Sequence, residues 1–102
     1  MIYLIATIEV AAGQRDMFLS EFRQLVPLVL AEEGCLDYGP AIDLETNLTT
    51  PPAVRENVVT VLEKWESIEA LERHLIAPHV VQYRVKVKGL VIGTSLRILR
   101  PA

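Results

Sequence analysis

The only two histidines of the chain, His74 and His79, lie in one short stretch, LEKWESIEALERHLIAPH, at 62–79. Imidazole titrates near neutral pH without help, so either residue could accept a proton from a bound molecule. The only tryptophan, Trp65, lies in the same stretch. An indole could form a pocket wall and stack on a flat ligand, although a core or interface role fits equally well. The stretch therefore indicates either an acid–base site for an aromatic ligand or ordinary core packing.

The two histidines are expected at opposite ends of successive helices. Ser67 is a suitable N-cap for a helix over 68–76, and Pro78 suits the first turn of the next helix. A helix C-terminus favours imidazolium and an N-terminus disfavours it. We therefore expect His79 to be the neutral base and His74 the more easily protonated partner. The alternative is structural: His74 would hydrogen-bond a backbone carbonyl, and His79 would lie at the surface.

Two tyrosines are further candidates for ligand contact. Tyr83 follows His79 by four residues, so the two share a face if residues 80–88 are helical. Alternating valines make a strand the alternative for this segment, but we favour a helix that ends at Gly89. Tyr38 is a weaker candidate of the same kind.

One carboxylate is expected on an apolar sheet face. Glu63 shares a strand face with Val61 and Trp65, and a carboxylate in such surroundings needs a partner. The expected partner is Arg97 or Arg100 on the last strand, from the same chain or from a second subunit.

Hydrophobic periodicity predicts the elements that carry these residues. Strands are expected over 2–10, 36–44, 58–64 with Trp65 at the end, and 94–100; helices over 14–32, 68–76 and from Pro78 to Gly89; and a polar loop over 45–57. Gly34 is expected to end the first helix, and Pro27 to bend it. The order matches the α+β ferredoxin-like arrangement, an antiparallel sheet with helices on one face. Because both faces of the first strand are apolar, we expect the free sheet face to pack on a second copy, giving a homodimer.

Composition narrows the function classes. The 102 residues suffice for a single domain over 1–102, and 51% are hydrophobic. A net charge of −3 with no basic stripe argues against a nucleic-acid partner. Cys35 stands alone, so no intrachain disulfide or metal-binding cysteine pattern is expected. With no signal peptide and no apolar run of membrane-spanning length, we expect a cytoplasmic protein without membrane association.

Four segments resemble the antibiotic biosynthesis monooxygenase family, most closely its bacterial quinol monooxygenase branch. They are EEGCLDYGPAID at 32–43, LEKWESIEALERHLIAPH at 62–79, VKG at 87–89 and SLRILRP at 95–101. The resemblance implies a dimeric α/β barrel in which the sheets of two subunits face each other. It also implies a pocket between sheet and helices where electron-rich aromatics react with O2 without metal, flavin or other cofactor.

Two departures separate the chain from other branches of that family. Relatives that oxidise polyketides carry an asparagine four residues before the tryptophan, where this chain has Val61. Haem-degrading relatives place an asparagine in the first strand, and residues 1–10 contain none. Both differences favour the quinol branch.

The resemblance and the residues together predict a cofactor-independent monooxygenase that acts on quinols or related hydroxylated aromatics. His79 and His74 are the expected catalytic residues, and Trp65, Tyr83 and Tyr38 the expected substrate contacts. Two alternatives stay open: a non-catalytic dimer that binds a small aromatic ligand, and a haem-degrading or isomerase relative on the same barrel.

Overall fold

The computed structural model describes residues 1–48 and 54–102. Its elements are β1 (Ile2–Val10), α1 (Arg15–Leu30), β2 (Cys35–Ala41), β3 (Val58–Trp65), α2 (Ile68–Leu75), α3 (Pro78–Val87) and β4 (Val91–Leu99). The strands form one antiparallel sheet in the order β2-β3-β1-β4, which confirms the predicted ferredoxin-like arrangement. Among these residues, no helix has both the length and the apolar character needed to cross a bilayer.

The end of the first helix differs from the prediction. The helix α1 contains Pro27 and ends at Leu30, with Ala31 as C-cap, so Gly34 lies beyond the cap. Gly34 instead adopts a φ of 85° in the turn that leads into β2. A Cβ at Gly34 would lie 2.6 Å from the Cβ of Ala70 in α2. This position therefore requires glycine both for its backbone conformation and for the close approach of α2.

The structure confirms the predicted N-terminal residues of the two short helices, Ser67 before α2 and Pro78 at the start of α3. The Ser67 hydroxyl accepts a hydrogen bond of 3.2 Å from the backbone N–H of Ala70, which caps α2. Pro78 occupies the first turn of α3, which continues to Val87 and settles the ambiguity of residues 80–88 in favour of a helix. The last strand begins at Val91, earlier than predicted.

The core lies between the helices and one face of the sheet. Alternate residues of β1 and β3 face the helices and are buried: Leu4, Ala6, Ile8, Val10, Val59, Val61 and Trp65. They pack against Phe18, Phe22, Leu25, Val29 and Leu71 from the helices. Each large apolar side chain removed from water in this way contributes about 1.5 to 3 kcal/mol.

The strand β4 extends the sheet beyond the helical layer. By register, Leu96 and Ile98 lie on the helix side, opposite Ala6 and Leu4. They nevertheless remain 57% and 49% exposed. The other face of the sheet is also partly apolar, and Leu62 on it is 48% exposed.

Ionic contacts hold the two ends of the predicted 45–57 loop, of which residues 49–53 lie outside the described part. The carboxylate of Asp43 accepts hydrogen bonds from Nε and Nη2 of Arg55, at 2.8 and 2.9 Å. These bonds lower the pKa of Asp43 to about 2. Nη1 of Arg15, at the start of α1, donates to the carbonyl of Arg55 at 3.2 Å.

Candidate active site

The two histidines meet at a carboxylate that was not predicted from the sequence. Nδ1 of His74 and Nε2 of His79 lie 2.9 and 2.8 Å from the same atom, Oε2 of Glu32. Glu32 lies in the turn after α1, His74 in the last turn of α2 and His79 in the first turn of α3. A carboxylate just beyond a helix C-terminus is unfavourably placed in the helix dipole. That position is the one sequence signal that could have indicated a cationic or hydrogen-donating partner for Glu32.

A second carboxylate lies on the helix side of β3. The indole Nε1–H of Trp65 donates a hydrogen bond of 3.0 Å to Oε1 of Glu63. The imidazole of His74 packs on the indole, and its Nε2 lies 3.9 Å from the same Glu63 oxygen. This separation exceeds hydrogen-bond length, so the contact is electrostatic only. Glu32, His74, Glu63 and Trp65 thus form a continuous series of polar contacts that begins at His79.

The predicted partner of Glu63 within the chain is wrong. Glu63 pairs across the sheet with Leu4, whereas Arg97 pairs with Ile5, the next residue of β1. Successive residues of a strand point to opposite faces, so Arg97 lies on the face away from the helices. Arg100 follows the last strand and is exposed. The partner of Glu63 is instead the indole N–H of Trp65, which donates a hydrogen bond to it.

Burial shifts the pKa values of Glu63 and His74. It raises the pKa of Glu63 to about 7, against the opposing effect of the Trp65 hydrogen bond. Burial also lowers the pKa of His74, although the hydrogen bond to Glu32 acts in the opposite direction. His74 was expected to be easily protonated because of its place at a helix end. Desolvation of the ring outweighs that effect, since His74 is only 3% exposed.

The predicted tyrosines belong to an aromatic cluster beside the histidines. The ring of Tyr38 lies 5.5 Å from that of His74 and 5.5 Å from that of Phe22, measured between centroids. Tyr83 packs edge-on against Phe22 at 5.6 Å. Burial raises the pKa of both tyrosines, so their hydroxyls remain protonated and can donate hydrogen bonds. Throughout the described ranges, no group of three or more His, Cys, Asp or Glu side chains is placed to hold a metal ion.

A depression of about 140 Å³ opens between α1 and α3. Its lining consists of Glu21, Gln24, Leu25, Leu28, His79, Gln82, Tyr83 and Lys86. His79 and Tyr83 therefore share this surface, as their spacing predicts. Trp65, His74 and Tyr38 lie in the core, at 0%, 3% and 6% exposure, and Trp65 forms no wall of the depression. A cavity of about 150 Å³ can hold benzene, so the space suits one aromatic ring.

Comparison with known proteins identifies the family. The sequence profile of the antibiotic biosynthesis monooxygenase family matches residues 1–86. The chain belongs to this family. Over 103 aligned residues it is 40% identical to the Escherichia coli K12 protein named probable quinol monooxygenase YgiN, with 99% of this chain and 98% of the relative covered. The resemblance drawn from the four sequence segments is confirmed.

Solved structures share the fold of this chain. The crystal structure of PA3566 from Pseudomonas aeruginosa superposes with a TM-score of 0.81 at 29% identity, covering 99% of this chain and 94% of the other. A conserved protein from Methanosarcina mazei superposes with a TM-score of 0.84 at 24% identity, covering 99% and 92%. At that lower identity, the second likeness shows the fold alone.

Proposed function

We propose that this family member is a cofactor-independent monooxygenase that oxidises quinols or related hydroxylated aromatics with O2. Family membership supports a monooxygenase, and the name of the E. coli relative supports a quinol substrate. The observation that carries the proposal is the place of His79, a histidine that lines a ring-sized depression while its Nε2 is hydrogen-bonded to Glu32. A proton acceptor beside a recess that fits the substrate ring is what the chemistry requires.

The spin state of oxygen explains why a base suffices to start the reaction. Triplet O2 does not add directly to a singlet organic molecule, but a quinolate anion can transfer one electron to it. His79 takes a phenolic proton, the quinolate reduces O2 to superoxide, and the two radicals join at a ring carbon that carries hydrogen. The histidine returns its proton to the resulting peroxide. The O–O bond then breaks with loss of the ring C–H proton, so that quinol and O2 become hydroxyquinone and water.

Of the other predicted site residues, one lies in the depression and three lie in the core behind it. Tyr83 lies in the depression, and its protonated hydroxyl can donate a hydrogen bond to the quinolate oxygen. Trp65, His74 and Tyr38 are buried, so they act behind His79. Tyr83 is therefore the proposed substrate contact, and Trp65 and Tyr38 act through their contacts with the His74 ring.

Oxygen uptake with chemically reduced quinones tests this function. We expect uptake above the spontaneous rate, incorporation of one atom from ¹⁸O2 into the product, and no accumulation of hydrogen peroxide. His79→Ala should lower kcat by about 10² to 10⁴, as expected for loss of a general base. Arg73→Ala, an exposed cation on α2, is the matched control and should leave the rate unchanged.

Two other results would replace the proposal. Uptake no faster than spontaneous oxidation, combined with saturable binding of the quinone, would indicate a ligand-binding module. Stoichiometric hydrogen peroxide without ¹⁸O in the product would indicate a quinol oxidase, because both oxygen atoms would then leave as peroxide.

We also propose that two copies associate through the sheet face opposite the helices. An apolar side chain that remains exposed on that face in the single chain supports this: Leu62 is 48% exposed. Leu62→Arg should shift the mass measured by light scattering from dimer to monomer. Ile76→Arg introduces the same charge at a position that is 77% exposed near the helix ends and should leave the mass unchanged. A monomeric wild type would refute this association.

A further inference from the structure

The geometry at Glu32 determines where the imidazole protons lie. An ionised carboxylate accepts hydrogen bonds and cannot donate them, so each ring nitrogen that faces Oε2 must carry a hydrogen. When both rings are neutral, the unprotonated atoms are Nε2 of His74 and Nδ1 of His79. A free imidazole would exchange between its two tautomers. Here one carboxylate oxygen selects the tautomer of two rings.

We propose that Glu32 is a positioning residue that fixes the tautomers of both histidines and couples them into one unit around a shared carboxylate. The kinetic part of this inference rests on the proposed function, in which His79 takes the first proton of the substrate. The remaining lone pair on His79 is then on Nδ1, and that atom is the base. The imidazolium that forms remains against the Glu32 carboxylate, 2.8 Å from Nε2.

The second histidine gives the unit an inner acceptor. With Nδ1–H committed to Glu32, the free Nε2 of His74 faces Oε1 of Glu63 at 3.9 Å. Protonation of Nε2 would create an imidazolium between the Glu32 carboxylate and the carboxyl of Glu63 on β3, whose pKa is raised to about 7 by burial. A proton gained by the unit therefore lies either on Nδ1 of His79 at the surface or on Nε2 of His74 in the core, and Oε2 of Glu32 contacts both rings.

Other groups around His74 set the balance between these states. From β2 the ring of Tyr38 contacts the imidazole, and its phenol is neutral because burial raises its pKa. From α3, Arg84 and a protonated His79 oppose a charge on His74, while Glu32 favours it. The carboxyl of Glu63 carries little charge where His74 titrates, because burial raises its pKa to about 7. Removal of the Glu32 charge should therefore disfavour protonation of His74.

Nitrogen-15 NMR of labelled histidine tests the tautomers without any assay of activity. We expect the neutral wild-type protein to show His74 protonated at Nδ1 and His79 protonated at Nε2. Glu32→Gln should lower the pH at which His74 titrates. Glu33→Gln removes the same charge from the adjacent exposed residue and should leave that titration unchanged.

Kinetics on a reduced quinone then test the coupling. Glu32→Gln should lower kcat by roughly tenfold or more with KM within about threefold, and Glu33→Gln should match wild type. A wild-type His74 protonated at Nε2, or a Glu32→Gln variant with unchanged His74 titration and unchanged kcat, would overturn the proposal. If the wild type oxidises no quinol, the proposed function fails, while the tautomer measurement still decides whether Glu32 positions the two rings.

Discussion

The indole of Trp65 and the imidazole of His74 lie with their centroids 4.6 Å apart and their planes tilted by 41°. This contact places the only tryptophan of the chain beside a titratable ring in the core. An imidazolium accepts an electron from an excited indole more readily than a neutral imidazole does. The fluorescence of Trp65 should therefore report the protonation of His74.

We expect the emission of Trp65 to be quenched as the pH falls, with a midpoint below 6.5 because burial lowers the pKa of His74 from that value. Near pH 6 His74 is then less protonated in the folded state than in the unfolded chain, so the quenched form appears only at more acidic pH. His74→Phe should abolish the quenching below pH 6.5, and His79→Phe should retain it. A midpoint above 6.5 would contradict the inferred effect of burial.

The buried carboxyl of Glu63 should make stability depend on pH. Its pKa rises from 4.5 to about 7 on folding, so between these values the folded state holds a proton that the unfolded chain releases. Its contribution to the free energy of unfolding therefore falls as the pH rises from 4.5 to about 7 and is constant above. The full effect is about 3 kcal/mol.

Glu63→Gln removes this dependence while its amide oxygen can still accept the Trp65 hydrogen bond. Urea unfolding should show that the variant gains about 3 kcal/mol relative to wild type between pH 4.5 and 8. Glu72→Gln, at an exposed position of α2, should show no such change. A pH-independent difference for Glu63→Gln would mean that this carboxyl is already ionised in the folded protein at low pH.

Two glycines with positive φ separate backbone strain from steric contact. Gly34→Ala introduces both effects, since the new Cβ would also lie 2.6 Å from the Cβ of Ala70. Gly13→Ala introduces backbone strain alone, because a Cβ there has no atom within 4 Å. We expect Gly13→Ala to cost about 1 to 2 kcal/mol from φ alone. Gly34→Ala should cost about 1 to 3 kcal/mol more, from overpacking against α2. Equal losses in urea unfolding would show that α2 moves away freely.

The two histidines should differ in their contribution to stability. His74 is 3% exposed and packs on Trp65, so His74→Ala leaves a cavity and removes a buried partner of Glu32. We expect a loss of about 2 to 4 kcal/mol. His79 is partly exposed, and His79→Ala should cost about 1 kcal/mol. The opposite order in chemical denaturation would contradict the assignment of His74 to the core.

The fold was predictable because its signals are local. Alternating apolar residues in β1 and β3, the Ser67 cap and the position of Pro78 each determine structure within a few residues. The first helix was predicted to run to Glu32, and that error hid the role of its carboxylate. Once α1 ends at Leu30, Glu32 lies in a turn, free to point towards the next helices.

The contacts of the candidate site were less predictable because they join distant segments. Glu32 and His79 are 47 positions apart, and no periodicity relates them. The partner of Glu63 depended on strand register, which placed Arg97 on the opposite face. The sequence indicated which side chains could do chemistry, but pairing between them came from the packing of α2 on β3 and against α3.

The walls of the depression and the buried residues behind them differ in how freely they can vary. Gln24, Gln82 and Lys86 contribute to the walls from exposed positions, where substitutions usually change stability little. His74, Glu63 and Trp65 are interior residues, so replacing them disturbs the core. During evolution, substitutions of the exposed lining residues can therefore change ligand preference while the buried residues behind them stay the same.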